Sequence, residues 1–123
     1  MEQHYAEQHY VKDLEALITE HQHKLLHADA EQKAAKEFED LLKSECDGLA
    51  CKLKEIDAIA IEDVTEALEE ERKKVADHLV LQFGKLKFFR DKVAECQLQK
   101  EEVAGELHKL LMQRWHIHSV HNM

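Results

Sequence analysis

The chain repeats apolar residues with the seven-residue spacing of a coiled coil in both of its halves. Such spacing predicts long α-helices that pair along the apolar stripe. The predicted core positions of the first half are Val11, Leu14, Ile18, His21, Leu25, Ala28, Gln32, Ala35, Glu39, Leu42, Cys46, Leu49, Leu53 and Ile56. Those of the second half are Ile61, Thr65, Leu68, Arg72, Val75, Leu79, Gln82, Leu86, Phe89, Val93, Cys96, Lys100, Val103, Leu107, Leu110 and Arg114. No proline interrupts either stripe.

The two stripes are out of phase with each other. Between Ile56 and Leu68 the chain is two residues shorter than a continuous heptad lattice requires, so on one straight helix the second stripe would be rotated by roughly 120°. The segment 63–66 has the spacing of a capping box, with Asp63 as the predicted cap of a new helix. We therefore predict an all-α antiparallel coiled coil folded as a two-helix hairpin, with helices over about 3–57 and 63–116.

A continuous helix is the alternative to the hairpin. The predicted connector, about 57–63, contains neither glycine nor proline, so one long helix per chain could instead form an antiparallel homodimer with its dyad at Ala60 and Ile61. Both interpretations describe a single elongated helical domain over residues 1–123. A polar terminal segment, 117–123, is expected to fray.

Antiparallel pairing of the two stripes predicts a particular register. We expect Glu39 to lie opposite Gln82, because two polar core residues that can hydrogen-bond each other cost less than either one alone. A shift of one heptad would place Glu39 on Phe89 and Ala28 on Lys100, and we expect that register to be less stable. The flanking pairs of opposite charge in the predicted register are Lys52 with Glu71, Glu31 with Lys92 and Asp29 with Arg90.

Composition and charge narrow the function classes. The net charge of −9 argues against general binding to nucleic acid or to an anionic membrane surface. No stretch is apolar enough to predict a signal peptide or a membrane span. Motifs typical of redox, nucleotide or zinc-protease sites are missing from the sequence. We therefore predict a non-enzymatic protein with no cofactor and no small-molecule substrate.

The cysteines indicate a reducing compartment. Cys46, Cys51 and Cys96 are odd in number, and the first two lie too far apart on a helix for a relaxed disulfide. We predict a cytoplasmic location, with the cytoskeleton as one candidate setting.

Two groups of histidines are weak candidates for metal binding. His23 and His27 are four residues apart on one helical face, a spacing that can chelate zinc, copper or nickel. His116, His118 and His121 form a second group near the end of the chain. Solvated surface histidines are the more common explanation for both groups, so the metal- or pH-responsive binding module is our alternative function.

Apolar residues on the outward face of the second helix point instead to a protein partner. A two-helix coiled coil has no use for apolar side chains on that face, where a second seam usually contacts further helices. The predicted partner-binding residues are Val80, Leu81, Phe88, Leu98 and Met112. The nearby basic segment 83–92 is interpreted as ordinary flanking charge with acidic partners across the pair. We predict a scaffold that mediates protein–protein assembly, by self-association or with another helical protein.

Overall fold

A computed structural model describes residues 2–121 of the chain, and the side chains of residues 8–120. Helix α1 spans Glu2–Asp57 and helix α2 spans Glu66–His121, with a short 3-10 turn at Ile61–Asp63 between them. The two long helices pack against each other as a helical hairpin, and the described part of the chain contains no strand. The predicted fold class is therefore confirmed. Because α1 ends at Asp57, the chain does not adopt the continuous-helix alternative.

The predicted core positions are the ones that become buried. Every core position predicted in the first half is buried or partly buried in α1. The same is true of the second half except for Ile61, Thr65 and Arg72, which lie in the connector or the first turns of α2. Apolar burial along this stripe is the main force that pairs the helices.

The connector differs in detail from the prediction. Thr65, not Asp63, caps α2: its hydroxyl oxygen accepts a hydrogen bond from the backbone N–H of Leu68 at 3.2 Å. Asp63 belongs to the 3-10 turn, where its own N–H donates to the carbonyl of Ala60 at 2.9 Å. Asp63 is thus part of the turn that redirects the chain, and the hydroxyl of Thr65 caps the helix.

The end of α2 differs from the prediction, and an ion pair connects the two helices beside the connector. Helix α2 continues past its predicted end near 116 to His121. Next to the connector, Arg72 donates from Nε to Oδ1 of Asp57 at 2.6 Å, which links the end of α1 to the second turn of α2. This hydrogen bond, with the charge of Asp57, raises the pKa of Arg72 further above its ordinary value.

The hairpin divides into two compact units, each of which contains part of both helices. Unit 1 comprises Met1–Gln32 and Glu95–Met123, and unit 2 comprises Lys33–Ala94. The buried apolar residues of unit 1 are Leu14, Ile18, Ala28 and Cys96. Those of unit 2 are Ala35, Leu42, Cys46, Val75, Leu79 and Leu86. The prediction of one domain over the whole chain stays a prediction.

The observed register is shifted by about one heptad from the predicted one. Glu39 does not face Gln82; its carboxylate lies 3.6 Å from Nε of Arg90, and Gln82 instead donates to the carboxylate of Glu45. In unit 1, Lys100 pairs with Asp29 at 2.7 Å. Of the predicted flanking pairs, Lys52 with Glu71 is confirmed at 3.5 Å. Asp29 pairs with Lys100 and Arg90 with Glu39 instead of with each other. Glu31 pairs with His27 at 3.1 Å.

The predicted register was wrong because it overestimated the cost of charged core residues. Lys100 occupies a core position, but its ammonium group reaches Asp29 and also donates to Gln32 at 3.0 Å, and the side chain stays partly exposed. Long side chains can cover an apolar seam with their methylene stems while the charged end remains hydrated and paired. The register that sets Lys100 near small Ala28 is thus tolerated.

Candidate interaction surface

The residues predicted to bind a partner are all on the surface. Their exposed fractions lie between 51 and 71%. Val80, Leu81 and Phe88 belong to unit 2, and Leu98 and Met112 belong to unit 1. Their exposure agrees with an outward face, whereas their binding to a partner stays a prediction.

Two exposed phenylalanine rings in unit 2 each contact a third, which is partly buried. The ring of Phe38 from α1 stacks on that of Phe89 from α2, with centroids 5.0 Å apart and planes at 22°. Phe88 meets Phe89 edge to face, with a centroid distance of 5.2 Å and an interplanar angle of 87°. Phe89 is partly buried, whereas Phe38 and Phe88 are more than half exposed. The three rings therefore continue from the edge of the core onto the surface.

Leucines extend this aromatic surface along both helices. Leu41 follows Phe38 by three residues, and Leu81 precedes Phe88 by seven, so helical geometry places each leucine on the same side as its phenylalanine. Both leucines are exposed. We name the surface formed by Phe38, Leu41, Leu81 and Phe88 the aromatic patch.

Half of the aromatic patch was missing from the prediction. The predicted residues all belong to the outward face of the second helix, whereas Phe38 and Leu41 belong to the first. Both lie outside the heptad core positions, so apolar residues at these flanking positions of α1 were the available signal. Their use as a surface depended on knowing which side of α1 lies beside Phe88, and that follows from the corrected register.

A lysine separates the two patch residues of α2. Lys85 follows Leu81 by four residues and precedes Phe88 by three, which places it on the same side of the helix. Lys85 is exposed and makes no ion pair with any residue that the structure describes. The prediction that the basic segment 83–92 has acidic partners therefore applies to Arg90, which contacts Glu39, and not to Lys85.

Unit 2 also contains a polar side chain within its apolar core. Gln82 is only 7% exposed, and its Nε2 donates to Oε2 of Glu45. Its carbonyl oxygen, Oε1, is buried without a hydrogen-bond partner. The nearby thiol of Cys46 is also buried, and burial, together with the charges of Asp47 and Glu45, raises its pKa.

The histidine candidates whose side chains the structure describes do not belong to a metal-binding group of three or more ligands. His27 is engaged by Glu31, which follows it by four residues on the same helix. Among the residues that the structure describes, no group of three or more His, Cys, Asp or Glu side chains is positioned to hold a metal ion. His23, His116 and His118 are among these residues, whereas the side chain of His121 lies outside them.

Membrane spans and similarity to known proteins are two further features of the chain. None of the described helices combines the length and the apolar character needed to cross a membrane. Comparisons of the chain with protein-family models, curated proteins and solved structures found no match.

Proposed function

We propose that the protein is a non-enzymatic helical scaffold that assembles with a protein partner through its aromatic patch. The observation that carries this proposal is the continuous aromatic contact from partly buried Phe89 to exposed Phe38 and Phe88. Both helices contribute to the surface, so a partner bound there would contact the hairpin as a whole.

The energetics of burial support this assignment. Leu41, Leu81 and Phe88 lie outside the stripe that pairs α1 with α2, and Phe38 borders it through its contact with Phe89. Covering apolar surface gains about 25 cal/mol per Å², and phenylalanine and leucine supply the largest areas among the exposed residues of this region. Aromatic anchors surrounded by polar residues are typical of sites where a few side chains provide most of the binding free energy.

A partner segment with closely spaced apolar side chains fits this surface. Leu81 and Phe88 are separated by two helical turns, about 10 Å, and Phe38 and Leu41 lie on the neighbouring helix. A partner helix or ordered turn with apolar residues two to four positions apart would place successive side chains against these positions. We place this assembly in the cytoplasm, where the free thiols of Cys46, Cys51 and Cys96 would stay reduced.

Site-specific photo-crosslinking tests the proposal. A photoreactive phenylalanine analogue replaces Phe88 in the full chain, and the matched control carries it at exposed Glu95, seven residues further along the same helix. We expect a discrete adduct from position 88, identified by mass spectrometry as one protein crosslinked through one defined segment. Position 95 should give much less of it.

A second variant links the adduct to the patch itself. Phe38→Ser changes the opposite helix, and it should reduce the yield from position 88 while circular dichroism shows unchanged helix content. Equal crosslinking from positions 88 and 95, or a crosslinking yield from position 88 that Phe38→Ser does not change, would contradict a binding role for the patch.

A further inference from the structure

The connector of the hairpin presents a second exposed apolar surface in unit 2. Ile61 is 93% exposed, and Ile59 and Val64 are each more than a third exposed. Glu62 and Asp63 lie between Ile61 and Val64 and make no ion pair with a described residue. We name Ile59, Ile61, Glu62, Asp63 and Val64 the acidic tip.

Hydrogen bonds hold the acidic tip in one backbone conformation. The N–H of Asp63 donates to the carbonyl of Ala60 at 2.9 Å, and that of Val64 donates to the carbonyl of Ile61 at 3.2 Å. An ordered turn loses little conformational entropy when it binds, so a small contact area suffices for a measurable affinity. The turn thus holds Ile61 outward in a form ready to enter an apolar site.

The acidic tip is opposite in charge to Lys85 of the aromatic patch. The patch carries exposed Lys85 between Leu81 and Phe88, and the tip carries Glu62 and Asp63 beside Ile61. Both surfaces thus combine apolar anchors with unpaired charges of opposite sign. Such charges favour one orientation of docking and penalise like-charged surfaces.

From this complementarity we infer that the acidic tip of one chain docks on the aromatic patch of a second copy. The inference rests on the proposed function and names the partner at the same patch. A chain cannot make this contact with its own tip, because α2 begins at Glu66 and a rigid helix carries Leu81 about 22 Å away from that start. The docked tip therefore belongs to another molecule.

This contact joins two different surfaces, so it does not close on itself as a twofold dimer does. Each chain has one tip and one patch, and head-to-tail contacts of this kind build rings or open filaments. The area is small, so the assembly forms at high protein concentration and dissociates on dilution.

Two complementary variants test the inference in the full chain. Ile61→Gln removes the apolar anchor of the tip and leaves the patch intact. Leu81→Gln with Phe88→Gln removes two anchors of the patch and leaves the tip intact. In sedimentation velocity each variant alone should associate about tenfold more weakly than the original chain. An equimolar mixture should form a one-to-one dimer and nothing larger, because only one productive contact remains.

Variants with exchanged charges give a second, independent test of docking. Lys85→Glu places like charge opposite the tip, and Glu62→Lys with Asp63→Lys does so opposite the patch, so each should weaken self-association. Mixing these two variants should restore association beyond the dimer, with the two variants alternating, because exchanged charges pair at one contact and the original charges pair at the next. The control is Lys87→Glu, which removes the same charge from an exposed lysine two residues away, on another side of α2.

The outcomes separate this inference from the proposed function. Association that is undiminished in Ile61→Gln, or mixtures that restore no association, would overturn docking of the tip. A crosslink from position 88 to a different protein, unchanged by Ile61→Gln, would overturn it too, while a binding role for the patch would stand. If neither the tip nor the patch variants affect any association, both fail.

Discussion

Unit 1 and unit 2 each place a polar residue at a core position, and they accommodate it differently. In unit 1, Lys100 reaches the edge of the seam, where Asp29 and Gln32 accept from its ammonium group. In unit 2, Gln82 is shorter, stays buried, and has one partner for its amide nitrogen and none for its carbonyl oxygen. The difference indicates that side-chain length, more than formal charge, decides whether a polar residue at the core of a two-helix pair reaches its hydrogen-bond partners.

Adding a carboxylate at each position should separate the two sites most strongly. Gln82→Glu would bury a negative charge beside Glu45, so we expect a loss of about 3–5 kcal/mol in the free energy of unfolding at neutral pH. Lys100→Glu also puts a carboxylate near another, Asp29, but the site is partly exposed, so the expected loss is about 1–2 kcal/mol. Urea denaturation of both variants at neutral pH measures this difference.

The pH dependence gives the control for that comparison. Burial next to Glu45 would raise the pKa of the new carboxyl in folded Gln82→Glu above its unfolded value. The penalty is then absent below the unfolded pKa and grows as pH rises through the folded pKa. Acidification should therefore narrow the gap between Gln82→Glu and the original chain. A similar loss at both sites, or a gap that ignores pH, would contradict the contrast between the two units.

Replacing each polar residue by leucine should change the free energy of unfolding less, and for Gln82 the change should be a stabilisation. Gln82→Leu removes a buried oxygen that has no partner and frees the exposed carboxylate of Glu45 to be hydrated, so we expect stabilisation by about 1–3 kcal/mol. Lys100→Leu should change the free energy of unfolding by less than about 1 kcal/mol, because Asp29 and Gln32 can turn to water. Thermal and urea unfolding measure both; destabilisation by Gln82→Leu would show that its bond to Glu45 outweighs the unsatisfied oxygen.

The register itself can be tested by the smallest of these effects. In a double-mutant cycle, Gln82→Leu and Glu45→Ala should couple by at least about 0.5 kcal/mol, since the two side chains are in contact. Gln82→Leu and Glu39→Leu should be additive within about 0.5 kcal/mol, because Glu39 has Arg90 and Lys36 as its partners. Strong coupling of Gln82 with Glu39 instead would restore the register predicted from the sequence.

The parts of the fold that follow from local pattern could be predicted. Heptad spacing identified the two helices, and it identified as core every residue that the structure buries. The phase change identified where the helices separate. These features depend on the periodicity of one helix at a time, which the sequence displays directly.

The parts that depend on pairs of residues from different helices were predicted less well. The choice of register depended on whether Lys100 could lie near Ala28. It can, because its flexible side chain extends to the edge of the seam, and the heptad lattice does not represent side-chain length. The patch residues Phe38 and Leu41 were missed for the same reason, because their relation to Phe88 requires the register. Thr65 was missed as a cap because Asp63 also fitted the capping pattern and the turn preceding α2 was not foreseen.

The distribution of the cysteines gives each compact unit its own chemical reporter. Cys96 is buried in unit 1 and Cys46 in unit 2, whereas Cys51 is exposed. An alkylating reagent would modify Cys51 at once, but it would reach each buried thiol only in molecules whose surrounding unit has transiently opened. The rates at Cys96 and Cys46 would then report the opening equilibria of the two units separately, in the unmodified sequence and in one experiment.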